Sequence, residues 1–330
     1  MRAAAMTRAT IMAVALVALT TTLVGSFAAA QSPPRVFRIG FLRPGPPPTF
    51  VIEALRQSLR EHGYIEGQNL SIEFRGAEGS LDDLVKSARE LVQLKVDVIV
   101  ASAGQAALAA KAATTTVPIV FVAVFDPVEA GLVASLSRPG GNITGLSNTA
   151  ADLAGKRLEL LRDVVPNLVH VGVVWDAGNP INVIQLKGAR TMAARMGIAL
   201  RELPVRGPKD FESAVKAARG VNGLLYLESP LFYTHRGQLA DLALKNRLPA
   251  IYSPREIIDA GGLISYGPDQ ADLYRRSAGY VDRIFKGARP GEMPVEQPTT
   301  FLLSVNVKTA RALGLTIPAA VLLRADYVIQ

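Results

Sequence analysis

Two nearly unbroken apolar runs, VDVIVAS (96–102) and VPIVFVAV (117–124), flank an alanine-rich helical stretch that begins at Gly104. A strand that is apolar on both faces must be covered on both, and parallel neighbours need a crossover long enough to hold a helix. This strand–helix–strand unit therefore predicts an open parallel sheet sandwiched between helices, and the rest of the chain repeats it.

Before that unit, VFRIGFL (36–42) reads as a compact strand ended by the RPGPPP loop. Thr49 is placed to cap a helix with Val51, Leu55 and Leu59 on one face, stopped by Gly63. LSIEFR (70–75) alternates strictly, as an edge strand does. Ser80 with Asp83 three residues on forms an acidic capping box for a helix carrying Leu81, Leu84, Ala88 and Leu91. After VPIVFVAV, Asp126-Pro127 predicts an N-cap and a short helix.

The pattern breaks at SRPGGNITGLS (137–147), which has no room for a helix, and then resumes. A helix from about Asp152 to Val165 precedes the strands HVGVVW (170–175), IALRELPV (198–205), GLLYLE (223–228), LPAIYS (248–253) and GGLISYG (261–267), with helices between them. A helix from about Gln270 to Lys286, the GARPGEMP turn, the strand TFLLSV (300–305) and the helix VKTARALGL complete the chain. Two sets of βαβ units imply two parallel sheets. Residues 137–147 are expected to be the first crossing between them, with Ser147-Asn148 facing the cleft. Two more helix-poor joins, near Gly267-Pro268-Asp269 and in GARPGEMPVEQP, are expected to carry the chain back and out again. The fold class is α/β, with two Rossmann-like parallel-sheet lobes joined by three hinge crossings. The domains run 1–30 (leader), 36–146 plus 268–290 (N-terminal lobe), and 147–267 plus 291–330 (C-terminal lobe).

The N-terminus sets the expected compartment. Arg2 and Arg8, the apolar run Ile11–Leu19 and Ala28-Ala29-Ala30 have the order of a secretory signal peptide cleaved near Ala30. Nine strongly apolar residues fall short of the roughly 20 that span a bilayer. With no cysteine, there is no disulfide, no thiolate site and no residue for N-terminal acylation. The reading is a periplasmic protein without a lipid anchor. Its net charge of +8 is scattered among acids, the pattern of a solvated surface, so no nucleic acid is expected as partner.

In open parallel sheets ligands bind beyond the carboxyl ends of the strands. Those ends supply Arg43, Ser102, Ala103, Gly104, Gln105, Asp126, Trp175, Asn179, Glu228, Ser229, Tyr252 and Tyr266, and the crossing adds Ser147 and Asn148. Ser102 to Gln105 begin a helix on small residues, which suits an anion or a plain N-cap. Asp126 suits an ammonium or a cap, and Glu228 suits a ligand cation or a solvated loop. Trp175, the only tryptophan, is expected to present a stacking face in the cleft, with Asn179 offering an amide; a core indole is the other reading.

Enzyme and metal readings find little support. No G-x-G-x-x-G follows a strand, and G-x-S-x-G and G-x-x-x-x-G-K-[ST] are absent. His62, His170 and His235 lack the spacing of a helical zinc site. No catalytic residue, metal or cofactor is expected.

The segments GYIEGQNLSIEFR, KVDVIVASAGQAALAAKAATTTVPIVFVAVFDPVEAGLVASLSRPGGNITGLS, GGLISYGPDQADLY and VNVKTARALGLTIP resemble the ABC-transporter substrate-binding family whose characterised branch takes up tryptophan and other aromatic amino acids. The resemblance spans residues 36–324, and FDPVEAGLV…RPGGNITG is its most specific part. It implies a type I periplasmic-binding-protein fold and a small-molecule ligand, amino-acid-like or a small organic acid. It also implies an ABC permease partner backed by a cytoplasmic ATPase. The Trp175-Asp176-Ala177-Gly178-Asn179 loop departs from better-known relatives, which leaves the ligand open. A monomer is expected. An exported sensor serving a membrane receptor is the alternative, with a two-lobed enzyme such as a glycosyltransferase or racemase behind it.

Overall fold

A computed structural model describes residues 35–77, 81–148 and 153–330; the leader, the Ser80 cap and Asp152 lie outside them. In chain order, β1 (Phe37–Arg43), α1 (Thr49–Glu61), β2 (Leu70–Gly76), α2 (Leu81–Gln93), β3 (Val98–Ser102), α3 (Gly104–Ala113), β4 (Ile119–Val124) and β5 (Ile143–Ser147) build a first sheet. Its strand order is β2-β1-β3-β4-β5, and every pairing is parallel.

Alternation along β3 explains why its sequence is apolar throughout. Val98 and Val100 join a core with Phe41, Leu55 and Leu59 on one side of the sheet. Ile99 and Ala101 join another with Leu84, Ala88 and Ala107 on the other side. Each fully buried Val, Leu or Ile adds roughly 1.5–3 kcal/mol by leaving water. An exposed face would forfeit half of that gain, so both faces stay covered.

Three local expectations are revised. Thr49 does not cap α1: Pro48 occupies the N-cap position, and no side chain closes it. Asp126-Pro127 opens a single turn rather than a helix. Asp126 Oδ1 accepts the Glu129 N–H at 2.9 Å, and the chain reverses at Gly131, whose φ is +69°. Residues 137–147 are not the crossing. Gly140 and Gly141, with φ of +73° and +65°, turn the chain into β5, which completes the first sheet beside β4. Those angles are open to glycine and costly for other residues. The chain is thus still in the first sheet at Ser147.

The next described helix, α4 (Leu153–Val164), belongs to a second core. It leads into β6 (His170–Asp176), α5 (Pro180–Arg195), β7 (Ala199–Val205), α6 (Phe211–Ala217), β8 (Gly223–Tyr226), α7 (Pro230–Thr234), α8 (Arg236–Lys245), β9 (Ala250–Tyr252), α9 (Glu256–Asp259) and β10 (Ile264–Pro268). Then α10 (Gln270–Phe285) returns to the first lobe, where Leu273, Ala278 and Val281 pack beside β1 and α1. Met293 and Val295 also pack in first-lobe cores, and Glu296 bridges Leu146 of β5. Finally β11 (Phe301–Asn306), α11 (Val307–Ala312), α12 (Ala319–Leu322) and β12 (Tyr327–Ile329) finish the second sheet.

The order of that sheet is β12-β11-β10-β9-β8-β6-β7. It is not parallel throughout, because β11 runs antiparallel to β10. The cause is the hinge: the chain leaves the sheet at Pro268 and re-enters at Phe301, its register partner, so the new strand must run back the way β10 came. β12, which the sequence reading lacks, pairs parallel with β11. Among the described residues, no helix is long and apolar enough to cross a membrane.

Candidate functional site

The carboxyl ends of the two sheets meet across one cleft. From the first lobe, β1 delivers Arg43, β3 delivers Ser102 followed by Ala103 and Gly104, and β5 delivers Asn148. From the second come Asn179, Glu228, Ser229 and Tyr252. These nine sequence-predicted residues line the same cavity.

Five others do not. Gln105 borders a separate groove with Gly45 and Gly178. Asp126 caps its turn and faces another groove with Arg157 and Lys187. Ser147 lies inside β5, buried, with its Oγ unpartnered, and alternation gives the cleft to Asn148 instead. Trp175 is half-buried against the core that holds Val173 and Val171, two and four residues earlier on the same face of β6. The neighbouring Val174 faces the opposite core, so strand parity turns the indole away from the ligand side. Tyr266 stacks on Phe301 at 5.9 Å and contributes only its carbonyl to the network below.

The cleft also uses residues that strand-end reasoning missed. Phe50, Phe125, Tyr226, Phe232, Tyr233 and Tyr274 give it an aromatic wall contributed by both lobes. Tyr226 ends β8 two residues before Glu228 and was within reach of the same logic; its ring stacks on Tyr252 at 4.8 Å. Tyr274 and Gln270 come from α10, and only the return crossing brings that helix to the cleft, so no local pattern marks them.

Glu228 is held from several directions. Its Oε2 accepts from Ser253 Oγ at 2.9 Å, and Oε1 accepts from Gln270 Nε2 at 3.4 Å. Ser253 Oγ in turn accepts from Arg157 Nη2 at 2.8 Å, while Arg157 Nε donates to the Tyr266 carbonyl at 2.7 Å. Arg157 is 5% exposed. Burial lowers its pKa, and the charge of Glu228 opposes that shift. The cation is thus satisfied within the protein, and it sits behind the carboxylate that faces the cavity. Asn182 Nδ2 and Gln185 Oε1 fix the backbone of residue 228 at 2.8 and 3.0 Å.

Elsewhere the cavity is under-satisfied. Asn148 Oδ1 and the hydroxyls of Tyr226 and Tyr252 are buried without a hydrogen-bond partner. Burial pushes both tyrosines above the ordinary phenol range, keeping them neutral donors. Glu256 is raised by burial, and Arg43 is lowered by it. Ser102 and Tyr274 hydrogen-bond to each other through their hydroxyls. Among the described residues, no group of three or more His, Asp or Glu side chains could hold a metal.

The lobes are in contact across the cleft. Glu129 and Lys187 form an ion pair at 2.7 Å, and Arg43 lies 5.7 Å from the Tyr233 ring centroid. A cleft between two hinged α/β lobes, closed over aromatic and polar side chains, defines a two-lobed solute-binding protein of the type I periplasmic fold.

Comparison with known proteins narrows the class. Residues 48–329 match the family described as ABC transporter substrate binding protein, and the chain belongs to that family. Over 260 residues it is 28% identical to a tyrosine-binding protein of Clostridioides difficile (strain R20291), covering 78% of this chain and 75% of that protein. A conserved domain protein from Vibrio cholerae O1 biovar El Tor is 31% identical, with a TM-score of 0.84 over 89% of this chain and all of the other. An ABC domain from Streptococcus pneumoniae in complex with L-Trp is 27% identical, with the same TM-score and the same coverage. The family is one of solute-binding proteins, not of enzymes.

Proposed function

We propose that this protein is the periplasmic binding component of an ABC importer. In this reading it captures an amino-acid-like molecule with an aromatic side chain and delivers it to a membrane permease driven by a cytoplasmic ATPase. The observation that carries the ligand class is the joint occurrence, in one interlobe cavity, of an aromatic wall and opposed charges. Phe50, Phe125, Tyr226 and Tyr233 supply apolar and stacking surface, while Arg43 and Glu228 supply charge of either sign. The tyrosine-binding and L-Trp-bound relatives support the same class.

The moving bodies are residues 36–148 plus 269–296 and residues 153–268 plus 297–330, a shift from the bounds expected from the sequence (36–146 plus 268–290, and 147–267 plus 291–330), because β5 belongs to the first sheet and Pro268 to the second. Residues 291–296 travel with the first lobe, since Met293 and Val295 pack there. Export through the 1–30 leader and a monomeric state complete the reading.

Calorimetric titration and thermal shift with L-tyrosine, L-tryptophan and L-phenylalanine test it. One-to-one binding is expected, with stabilisation of roughly 2.7 kcal/mol at a hundredfold excess over Kd, and the ligand is recovered unchanged. No binding by any aromatic amino acid, or consumption of one, would overturn the reading.

A further inference from the structure

We propose that Arg157 is a positioning residue for ligand binding: without touching the ligand, it holds the Glu228 carboxylate at its place in the cleft. The inference rests on the binding role proposed above and adds a residue from outside the cavity wall.

Arg157 stands behind the site and not in it. It projects from α4 and is 5% exposed. It borders the groove that holds Asp126 and Lys187, whereas Glu228 lines both that groove and the cleft. Its Nε donates to the Tyr266 carbonyl at 2.7 Å, which anchors the guanidinium to the backbone of β10. Its Nη2 donates to Ser253 Oγ at 2.8 Å.

That second bond gives the relay its direction. A guanidinium donates hydrogen bonds and cannot accept one, and a serine hydroxyl carries a single hydrogen. Ser253 must therefore accept from Arg157, which leaves its hydrogen for Glu228 Oε2 at 2.9 Å. A neutral side chain at position 157 would free the hydroxyl to turn. The carboxylate would then lose a charge-assisted bond together with the cation behind it.

The other supports of Glu228 do not replace this one. Asn182 and Gln185 grip only the backbone of residue 228. Gln270 Nε2 reaches Oε1 at 3.4 Å, a long bond, and it belongs to α10, which packs in the first lobe. It can hold the carboxylate only while the lobes are together. Arg157, Ser253 and Glu228 all lie in the second lobe, so their relay persists when the cleft opens. Glu228 is thus already aimed when a ligand arrives, and the cost of ordering it falls outside the binding step.

A double-mutant cycle on the mature protein, read by titration calorimetry with L-tyrosine, tests this. Arg157→Met should weaken binding about tenfold, the scale of a lost hydrogen bond to a charged group. Arg157→Lys, which keeps the charge without the planar fork, should lose less. In a Glu228→Gln background, Arg157→Met should change affinity by less than about twofold, because the carboxylate it positions is gone. An arginine acting only through the fold would weaken binding equally in both backgrounds. That outcome, or wild-type affinity in Arg157→Met, would overturn the inference. Ser253→Ala cuts the same relay and should repeat the pattern, and it decides the matter if Arg157→Met does not fold. If no aromatic amino acid binds the wild-type protein, the functional reading falls by itself. The same cycle read by urea denaturation then decides the positioning role: non-additive losses of stability retain it, and additive losses remove it.

Discussion

A β-carbon built on Gly104, at the start of α3, would lie 2.5 Å from Cγ1 of Ile181, in the first turn of α5 on the opposite lobe. The closed cleft therefore requires the absence of a side chain at position 104. The backbone there is ordinary for any residue, so a substitution tests space and not strain. Gly104→Val should weaken ligand binding by about 1–3 kcal/mol, as overpacking does, because the lobes can no longer meet. The unliganded melting temperature should stay close to wild type. Titration calorimetry with thermal melting of the same variant checks both.

The stacked pair Tyr226 and Tyr252 makes the opposite kind of statement. Both hydroxyls are buried and unpartnered, so each carries a desolvation cost that the free protein does not recover. Tyr226→Phe and Tyr252→Phe should each be as stable as wild type to within about 1 kcal/mol, or more stable. If a ligand atom satisfies either hydroxyl, the same variant should lose affinity. Chemical denaturation beside ligand titration separates the two effects.

Trp175 packs against the second-lobe core, and its indole should report stability and not occupancy. Trp175→Ala should cost about 3 kcal/mol, at the low end for tryptophan because the side chain is only partly buried. Ligand affinity should be unchanged. Intrinsic fluorescence, which comes from this one tryptophan and the tyrosines, should show no saturable tryptophan shift on titration. A blue shift that saturates with ligand would place the indole at the cleft after all.

Asp176 ends β6 beneath Ser229, whose Oγ donates to it at 2.8 Å. Burial, the largest influence, raises its pKa, against the hydrogen bonds from Ser229 and Gly178 and the charge of Arg206. A folded pKa above the unfolded one means that the native state binds the proton more tightly. The stabilising contribution is complete at pH below the ordinary value of 3.8 and is lost as pH rises through the raised value. Asp176→Asn should therefore be more stable than wild type at pH 7, and the gap should close on acidification. Melting curves from pH 4 to about 8 would show it.

Much of the cleft could be read from strand ends alone, since the rule that ligands sit beyond parallel strands depends only on where apolar runs stop. Arg43, Ser102 to Gly104, Asn179 and Glu228 to Ser229 follow from it and line the cavity. Its failures share a cause. Trp175, Ser147 and Tyr266 also stand at strand ends, but which face a strand-end side chain takes depends on register and on the cores on either side. One residue of parity decides between ligand and core. SRPGGNITGLS misled for a related reason. Five residues are enough for an edge strand, and a short alternating run reads as a connector until β4 is present to pair with it.

The amino-acid sequence by itself determined the two sets of βαβ units and the covered parallel strands, because hydrophobic period and strand length are local properties of the chain. It also carried the family resemblance, through motifs that are contiguous. Only the tertiary structure decided that Tyr274 and Gln270 reach the cleft, that β11 runs against β10, and that Arg157 rather than Arg43 is the cation joined to Glu228. Each of these depends on residues about 25 to more than 100 positions apart being folded together by the crossings. Pairing, charge compensation and parity at that range are properties of packed surfaces, and no window along the chain contains them.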